Sequence, residues 1–255
     1  DILKEAGPAS LITAANVFAH VANLGPCLRG IHALLGDRGT FVSESHYLLA
    51  LIDTLQYDTI YHEHLRFYSI KPMQDMMKRF GFSVVDAERI PNHGGSIRVY
   101  AVKGTGKNPS GRLNELVKQE GAYGLYETAL YTTFAQRVRQ SKWKLMHLLS
   151  DLKMKGHRIA GIGSPGRSST VMNYCGIGPD YLDYTAEQAT SLKVGLFTPG
   201  THVPVVDEKR LFEDQPEYAL VLAWHLGETI PRKLRSKGLR SKFIMPLPDP
   251  VILDW

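Results

Sequence analysis

A long helical pattern over residues 112–154, interrupted only near Gly121 and Gly124, separates two blocks that each alternate extended and helical runs. That division constrains the fold more than any other feature, because alternation on both sides of a helical stretch calls for two α/β units. In the first block the apolar run over 10–15 reads as a buried parallel strand, and a helical pattern over 24–35 places Leu28, Ile31, Leu34 and Leu35 on one face. Gly36-Asp37-Arg38-Gly39 reads as its stop, with a strand resuming over 40–43 and a helical pattern over 46–55. Ser69 is placed to cap a helix over 70–80 that tolerates Pro72 in its first turn and ends at Gly81. Extended runs over 82–90 and 96–103, joined by Pro91-Asn92-His93-Gly94-Gly95, complete the order β-α-β-α-β-β.

A turn-rich boundary at 104–111 leads into the helical stretch, where Leu113, Leu116, Val117, Phe134, Val138, Leu145, Leu149 and Leu152 are the predicted buried positions. Beyond Gly156, strands are predicted over 158–163, 182–186, 202–206, 219–224 and 242–245, with helices near 168–174, 209–213 and 228–237. The domain boundaries this predicts are 1–103, a helical linker over 104–156, and a second α/β domain with a mainly parallel sheet over 157–255.

The totals narrow the class. A chain of 255 residues that is 44% hydrophobic and 22% charged is long enough for two cores. The net charge of +5 suits an anionic ligand, but the basic residues are scattered among acids, so nucleic acid is not an expected partner. No apolar run reaches the roughly 20 residues of a membrane span. Cys27 and Cys175 have no paired spacing, which fits neither a disulfide framework nor a metal knuckle and suits a reducing, cytoplasmic compartment. Residues 1–7 read as the last turns of a helix closing at Gly7, so the chain is expected to start mid-fold.

Two stretches carry chemistry. Over residues 57–69, Tyr57, Tyr61, His62, Glu63, His64 and Tyr68 fall close together, and imidazoles beside a carboxylate and phenols make an acid-base site. The alternative is an aromatic segment that packs under the following helix. A helical zinc motif is excluded by spacing, since the residue four after His62 is Arg66. The second stretch, Gly161-Ile162-Gly163-Ser164-Pro165-Gly166, matches G-x-G-x-x-G after a strand and before a helix, where backbone N–H groups can cradle a pyrophosphate. Asp183 or Glu187 lies at the right distance to serve ribose hydroxyls, so an NAD-dependent oxidoreductase competes with a nucleotide-sugar enzyme. A packing role for the glycines is the third reading.

Several segments, in order, resemble one family. They are Asn16-Val17-Phe18-Ala19-His20, the 57–69 stretch with Tyr61-His62-Glu63-His64, His93-Gly94-Gly95-Ser96-Ile97-Arg98, Gly161 through Arg167, Asn173-Tyr174-Cys175-Gly176, Lys193-Val194-Gly195, Pro199-Gly200-Thr201-His202-Val203-Pro204, and Leu222-Ala223-Trp224. Together they resemble the S-adenosylmethionine-dependent C-methyltransferases that act on nucleotide-linked deoxysugars. The resemblance implies the second half of a class I methyltransferase (Rossmann-like) sheet, then helices, then a C-terminal Rossmann-like α/β domain. A cysteine-rich zinc region and the first, cofactor-binding half of the methyltransferase fold precede this part in the family, so zinc is expected only there.

The implied reaction deprotonates the carbon next to a ketone and methylates the enolate. His64 is the expected base, Glu63 orients an imidazole, and Tyr61 and His20 donate to the enolate oxygen. Asn16, with Ala15 and Val17, is expected at the methionine end of the cofactor and at the substrate. Gly161, Gly163, Ser164, Gly166, Arg167, Lys193 and His202 are expected to hold the sugar nucleotide, with Arg98 as a further ligand. One departure concerns the loop after Leu182, where the family's aspartate is replaced by Glu187-Gln188 and one extra residue precedes Lys193. A binding-only fragment that keeps the pocket without a working cofactor site is the remaining alternative.

Overall fold

Residues 2–53 and 62–131 form one compact unit, and residues 54–61 and 132–253 form another. The structure is a computed structural model and describes residues 2–253. The helical stretch does not stand as a piece of its own but divides at residues 131 and 132. Its first helix, α5 (Gly111–Ala122), packs on the first unit, whereas α6 (Thr128–Met154) sends Leu145, Leu149 and Leu152 into the core of the second.

In the first unit, α1 (Ile2–Ala6) closes at Gly7, whose φ of +74° only glycine adopts freely. Strand β1 (Ala9–Ala15) and helix α2 (Leu24–Leu34) precede β2 (Leu35–His46), α3 (Leu48–Asp53) and α4 (Ile70–Arg79), and the hairpin β3 (Phe82–Ile90) and β4 (Ser96–Lys103) follows. The sheet runs β1-β2-β4-β3, with β1 parallel to β2 and both other pairs antiparallel. Phe41 of β2 meets Phe18 and Phe82 at 5.6 and 6.3 Å between ring centroids, and Met73 and Met77 of α4 are fully buried.

Local details differ from expectation here. Among the described residues β1 pairs with β2 alone, and within this chain Leu11 is 57% exposed while Ala14 is enclosed. Helix α2 does stop just before Gly36, as expected, but Gly36–Gly39 is strand and not turn, because β2 begins at Leu35 and runs through it. The β1–β2 register jumps there from Ala9↔Leu35 to Leu11↔Thr40, a bulge. A Cβ at Gly39 would lie 2.8 Å from the Ala9 carbonyl oxygen, so the glycine allows a close backbone approach. Ser69 does occupy the N-cap position of α4, yet its hydroxyl makes no capping bond. The wholly buried Glu120 of α5 does so instead, accepting from Ile70 N at 2.7 Å and from the Tyr126 hydroxyl.

The second unit carries β5 (Ile159–Ile162), α7 (Gly166–Cys175), β6 (Thr185–Glu187), β7 (Val205–Asp207), α8 (Lys209–Asp214), β8 (Tyr218–Val221), α9 (Thr229–Ser236), β9 (Lys242–Met245) and β10 (Val251–Leu253). Its sheet order is β10-β9-β8-β5-β6-β7, parallel except for the β10 edge, which the sequence pattern did not predict. Successive residues of the central strands enter opposite cores. Ile159, Leu220 and Ile244 join α6 and α7 on one face; Ala160, Val221 and Phe243 join Leu211 and Leu234 on the other. The chain leaves β5 toward β6 and β7, then returns to its other side as β8 and β9, which makes the carboxyl end of β5 a switch point where ligands bind. Among the described residues no helix is long and apolar enough to cross a membrane.

Candidate active site

The imidazoles gather in the first unit at the carboxyl end of β1. Asn16 follows that strand in a left-handed conformation (φ 54°), its N–H donating to the Glu44 carbonyl at 2.8 Å, and the chain turns so that His20 N reaches the Val17 carbonyl at 3.0 Å. Residues 62–69 are strapped onto this turn. Leu65 N donates to the Ala19 carbonyl at 2.9 Å, the Arg66 guanidinium to the Val21 and Ala22 carbonyls at 2.5 and 2.8 Å, and the Tyr68 hydroxyl to the Phe18 carbonyl at 3.1 Å. The straps bring the His64 and His20 rings edge to face at 5.1 Å. His46, at the end of β2, lies 5.1 Å from His64 on another side, and His93 follows at 5.9 Å from His46. Phe67 stands at 6.1 Å from His64.

The other expected catalytic groups are distributed differently. Glu63 lies beside His62, 4.0 Å from its Nε2, with both side chains more than half exposed, so its immediate imidazole is His62. Tyr61 belongs to the second unit, where a Cβ added at Gly166 would meet its ring at 3.1 Å. The 57–69 stretch divides between the units: Tyr57 packs in the core of the second and not under α4, and 62–69 carries its imidazoles in the first. Ala15 and Val17 are exposed at the carboxyl end of β1, and Asn16 between them is half-buried. Arg98 is the middle of a cross-strand row, set by register between Glu44 and Glu88, donating to Glu44 at 2.9 Å. Its charge is already paired within the sheet by two carboxylates.

In the second unit the glycine loop joins β5 to α7. Gly163 has φ +78° and Gly161 a Cβ position 2.7 Å from Thr185 Cγ2, so turn and close packing both require glycine. Ser164, in the middle, donates its N–H to Glu187 Oε1 at 2.6 Å, and its carbonyl accepts from Lys193 Nζ at 2.5 Å. The Glu187 carboxylate thus takes up a backbone N–H of the loop. Glu187 also lines a cavity of about 240 Å³ with Gly163, Gln188, Ala223, His225 and Lys233, at the carboxyl ends of β5, β6 and β8. Asp183 is excluded from ribose binding there, since it precedes β6 and pairs with Arg158 at 2.8 Å and Lys153 at 3.6 Å.

Arg167 corrects the reading most plainly. It does not face ligand: Nε and Nη2 donate to both oxygens of Asp58 at 2.6 and 2.7 Å, with its side chain 7% exposed and that of Asp58 fully buried. Trp224 Nε1 donates to the same carboxylate at 2.7 Å, Gln56 accepts from Arg167 at 3.3 Å, and the guanidinium lies 5.2 Å from the Trp224 ring centroid. A buried carboxylate needs such partners, and Asp58 gave no periodic signal because its partners are 109 and 166 residues away. The Asn-Tyr-Cys-Gly and Pro-Gly-Thr-His motifs meet as well. Asn173 Nδ2 donates to the Pro199 carbonyl at 2.9 Å, and a Cβ at Gly200 (φ +80°) would overlap Asn173. His202 follows, exposed, at φ 56°.

A parallel β1–β2 pair closing in an antiparallel hairpin, followed by a second, mainly parallel sheet, is an α/β architecture of the Rossmann-like methyltransferase kind. Residues 1–87 match the model of a methyltransferase domain, and residues 91–248 match that of the C-methyltransferase C-terminal domain. The chain therefore belongs to the C-methyltransferase family. It is also similar to C-methyltransferase NovU of Streptomyces niveus, 29% identical over 256 residues that cover all of this chain and 61% of that relative. The chain spans less than two thirds of its length.

Proposed function

We propose that this chain is the C-terminal part of an S-adenosylmethionine-dependent enzyme that methylates a nucleotide-linked keto-deoxysugar at the carbon next to the ketone. The observation that carries the reading is the 5.1 Å approach of His64 and His20 at the carboxyl end of a parallel strand, where α/β proteins bind ligands. His64 takes the proton from the carbon, and His20 donates to the developing enolate oxygen. A positioned base contributes about 10²- to 10⁴-fold and a donor aimed at developing charge about 10²- to 10³-fold.

The residues after β1 fit one end of the cofactor. Ala15 and Val17 offer apolar contact and Asn16 an amide, while the carboxylate of the neighbouring Glu44 is already engaged by Arg98 and Asn92. That donor set suits a methionine moiety better than ribose hydroxyls. S-adenosylmethionine, when bound, supplies an electrophilic methyl group on sulfur. In the second unit, the loop at Ser164 with Lys193 as counter-charge is the site for the pyrophosphate, which must take the N–H that Glu187 holds. Glu187 at the end of β6 then faces the nucleoside, and His202 is the exposed candidate on the adjoining loop. Two free cysteines, Cys27 and Cys175, suit a reducing, cytoplasmic setting.

The test uses the full-length protein that carries this chain. Label should pass from methyl-tritiated S-adenosylmethionine to a nucleoside-diphosphate keto-deoxysugar, and solvent deuterium should exchange at the carbon beside the ketone. His64→Asn should suppress that exchange at least 10²-fold. Exchange at the wild-type rate in this variant moves the base elsewhere, and hydride transfer from NADH without methyl transfer overturns the reading.

A further inference from the structure

The proposed chemistry leaves a proton to be disposed of. The C–H bond beside the ketone breaks with its electron pair entering the enolate, and the proton goes to His64. The enolate carbon then bonds to the methyl group as the methyl–sulfur bond breaks, its pair staying on sulfur. One proton remains on His64, and the next turnover waits for it to leave.

The rings of His20, His46 and Phe67 stand beside His64. Phe67 has no acceptor, and His20 is engaged with the enolate oxygen in the proposed reaction. His46 is the remaining imidazole, half-buried and 5.1 Å away, and beyond it His93, exposed, stands at 5.9 Å. A neutral imidazole accepts at one nitrogen and donates from the other, so successive rings can pass a proton without displacing one another. We propose that His46 and His93 form a proton exit that carries the abstracted proton from His64 to solvent. This rests on the C-methylation reading above.

The hairpin corner is shaped to hold His93 there. The residue has φ 54°, a left-handed conformation that non-glycine residues adopt uncommonly. Gly94 and Gly95 follow at φ +87° and +119°, and a Cβ at Gly95 would lie 2.6 Å from Ala50 Cβ. Gly95 N donates to the Asn92 carbonyl at 2.9 Å, Tyr47 N to the Gly95 carbonyl at 3.2 Å, and Asn92 Nδ2 to Glu44 Oε1 at 3.3 Å. Glu44 precedes His46 by two residues, on the same face of β2, and its carboxylate is committed to Arg98 and Asn92. The corner these residues turn leaves the His93 ring beside that of His46.

The experiment follows methyl transfer to a nucleoside-diphosphate keto-deoxysugar by the full-length protein in weakly buffered solution. His93→Asn, at an exposed position where folding is least at risk, should lower kcat about 10-fold with KM unchanged, and added imidazole should restore most of the loss. His46→Asn, one ring further in, should lose more and be restored less. Wild-type turnover by His93→Asn at low buffer overturns the exit, as does a loss that imidazole leaves in place or that falls on KM. A wild-type protein that neither exchanges nor methylates sinks the C-methylation reading and the exit with it. An active wild type with an unaffected His93→Asn sinks the exit alone.

Discussion

Residues 54–61 and 62–69 are neighbours in sequence and opposites in physics. The first segment is locked into its unit by a buried ion pair: Asp58 accepts from Arg167 twice and from Trp224, and Tyr57 packs in the core with its hydroxyl 3.7 Å from Cys175 Sγ. Burial raises the Tyr57 phenol far above its ordinary range, with Cys175 adding to it, and that side chain stays neutral at any working pH. The second segment is held by four strap bonds from Leu65, Arg66 and Tyr68, and it leaves its imidazoles half-buried or exposed. A charge that must hold a position is best sealed from water, whereas a group that must exchange protons cannot be. One stretch of chain thus supplies a buried ion pair and an open loop that carries imidazoles.

The comparison breaks first at the anchor. Asp58→Ala leaves the Arg167 guanidinium buried without its partner and should cost about 3 to 5 kcal/mol, read as a fall in the urea midpoint of the second unit. Asp58→Leu combined with Arg167→Met removes both charges and should cost much less than the single change. A single variant as stable as the wild type would mean that water reaches the pair.

Alkaline titration sharpens the other side. Burial pushes the Tyr68 hydroxyl from 10.0 to about 12, and burial followed by the bond to Glu120 pushes Tyr126 to about 12. Folded values above the unfolded ones mean that folding favours the neutral phenols. Their contribution is fully present below pH 10 and is lost as pH rises from there toward about 12. Tyrosinate absorbance should therefore lag the free-tyrosine curve, and the strap to Phe18 should fail in that window. Tyr68→Phe should remove that hydroxyl's part of the lag and loosen the histidine loop, seen as faster amide exchange at His20 and Leu65.

The smallest effect is expected at the open row of β2, β4 and β3. Arg98→Gln interrupts a network whose central side chain is 35% exposed, so the fall in the urea midpoint should be close to nothing and should shrink further in salt. A loss comparable to that of Asp58→Ala would erase the distinction between the two kinds of ion pair.

The β3–β4 hairpin, the end of α4 at Gly81 and the break between α5 and α6 were legible in sequence because each is decided by neighbours a few residues apart. The second sheet was legible for a similar reason, its strands being apolar on both faces. The candidate site was legible only in part: residue type marked His64 and the family resemblance marked His20, but nothing nearby marked His46, whose ring meets His64 only once β2 has paired. Arg167 carried the opposite error, since a cation after a glycine loop resembles an anion ligand until Asp58 is brought to it across 109 residues.

What this sequence determined alone is the alternation of elements, the places where glycine must turn the chain, and the presence of groups able to move protons. Tertiary structure decided which of those groups meet water, which meet each other, and which are used up holding the fold. The reason is range: dihedral preference and periodicity act over a few residues, whereas charge balance and desolvation act through space and become defined only when distant segments are packed together.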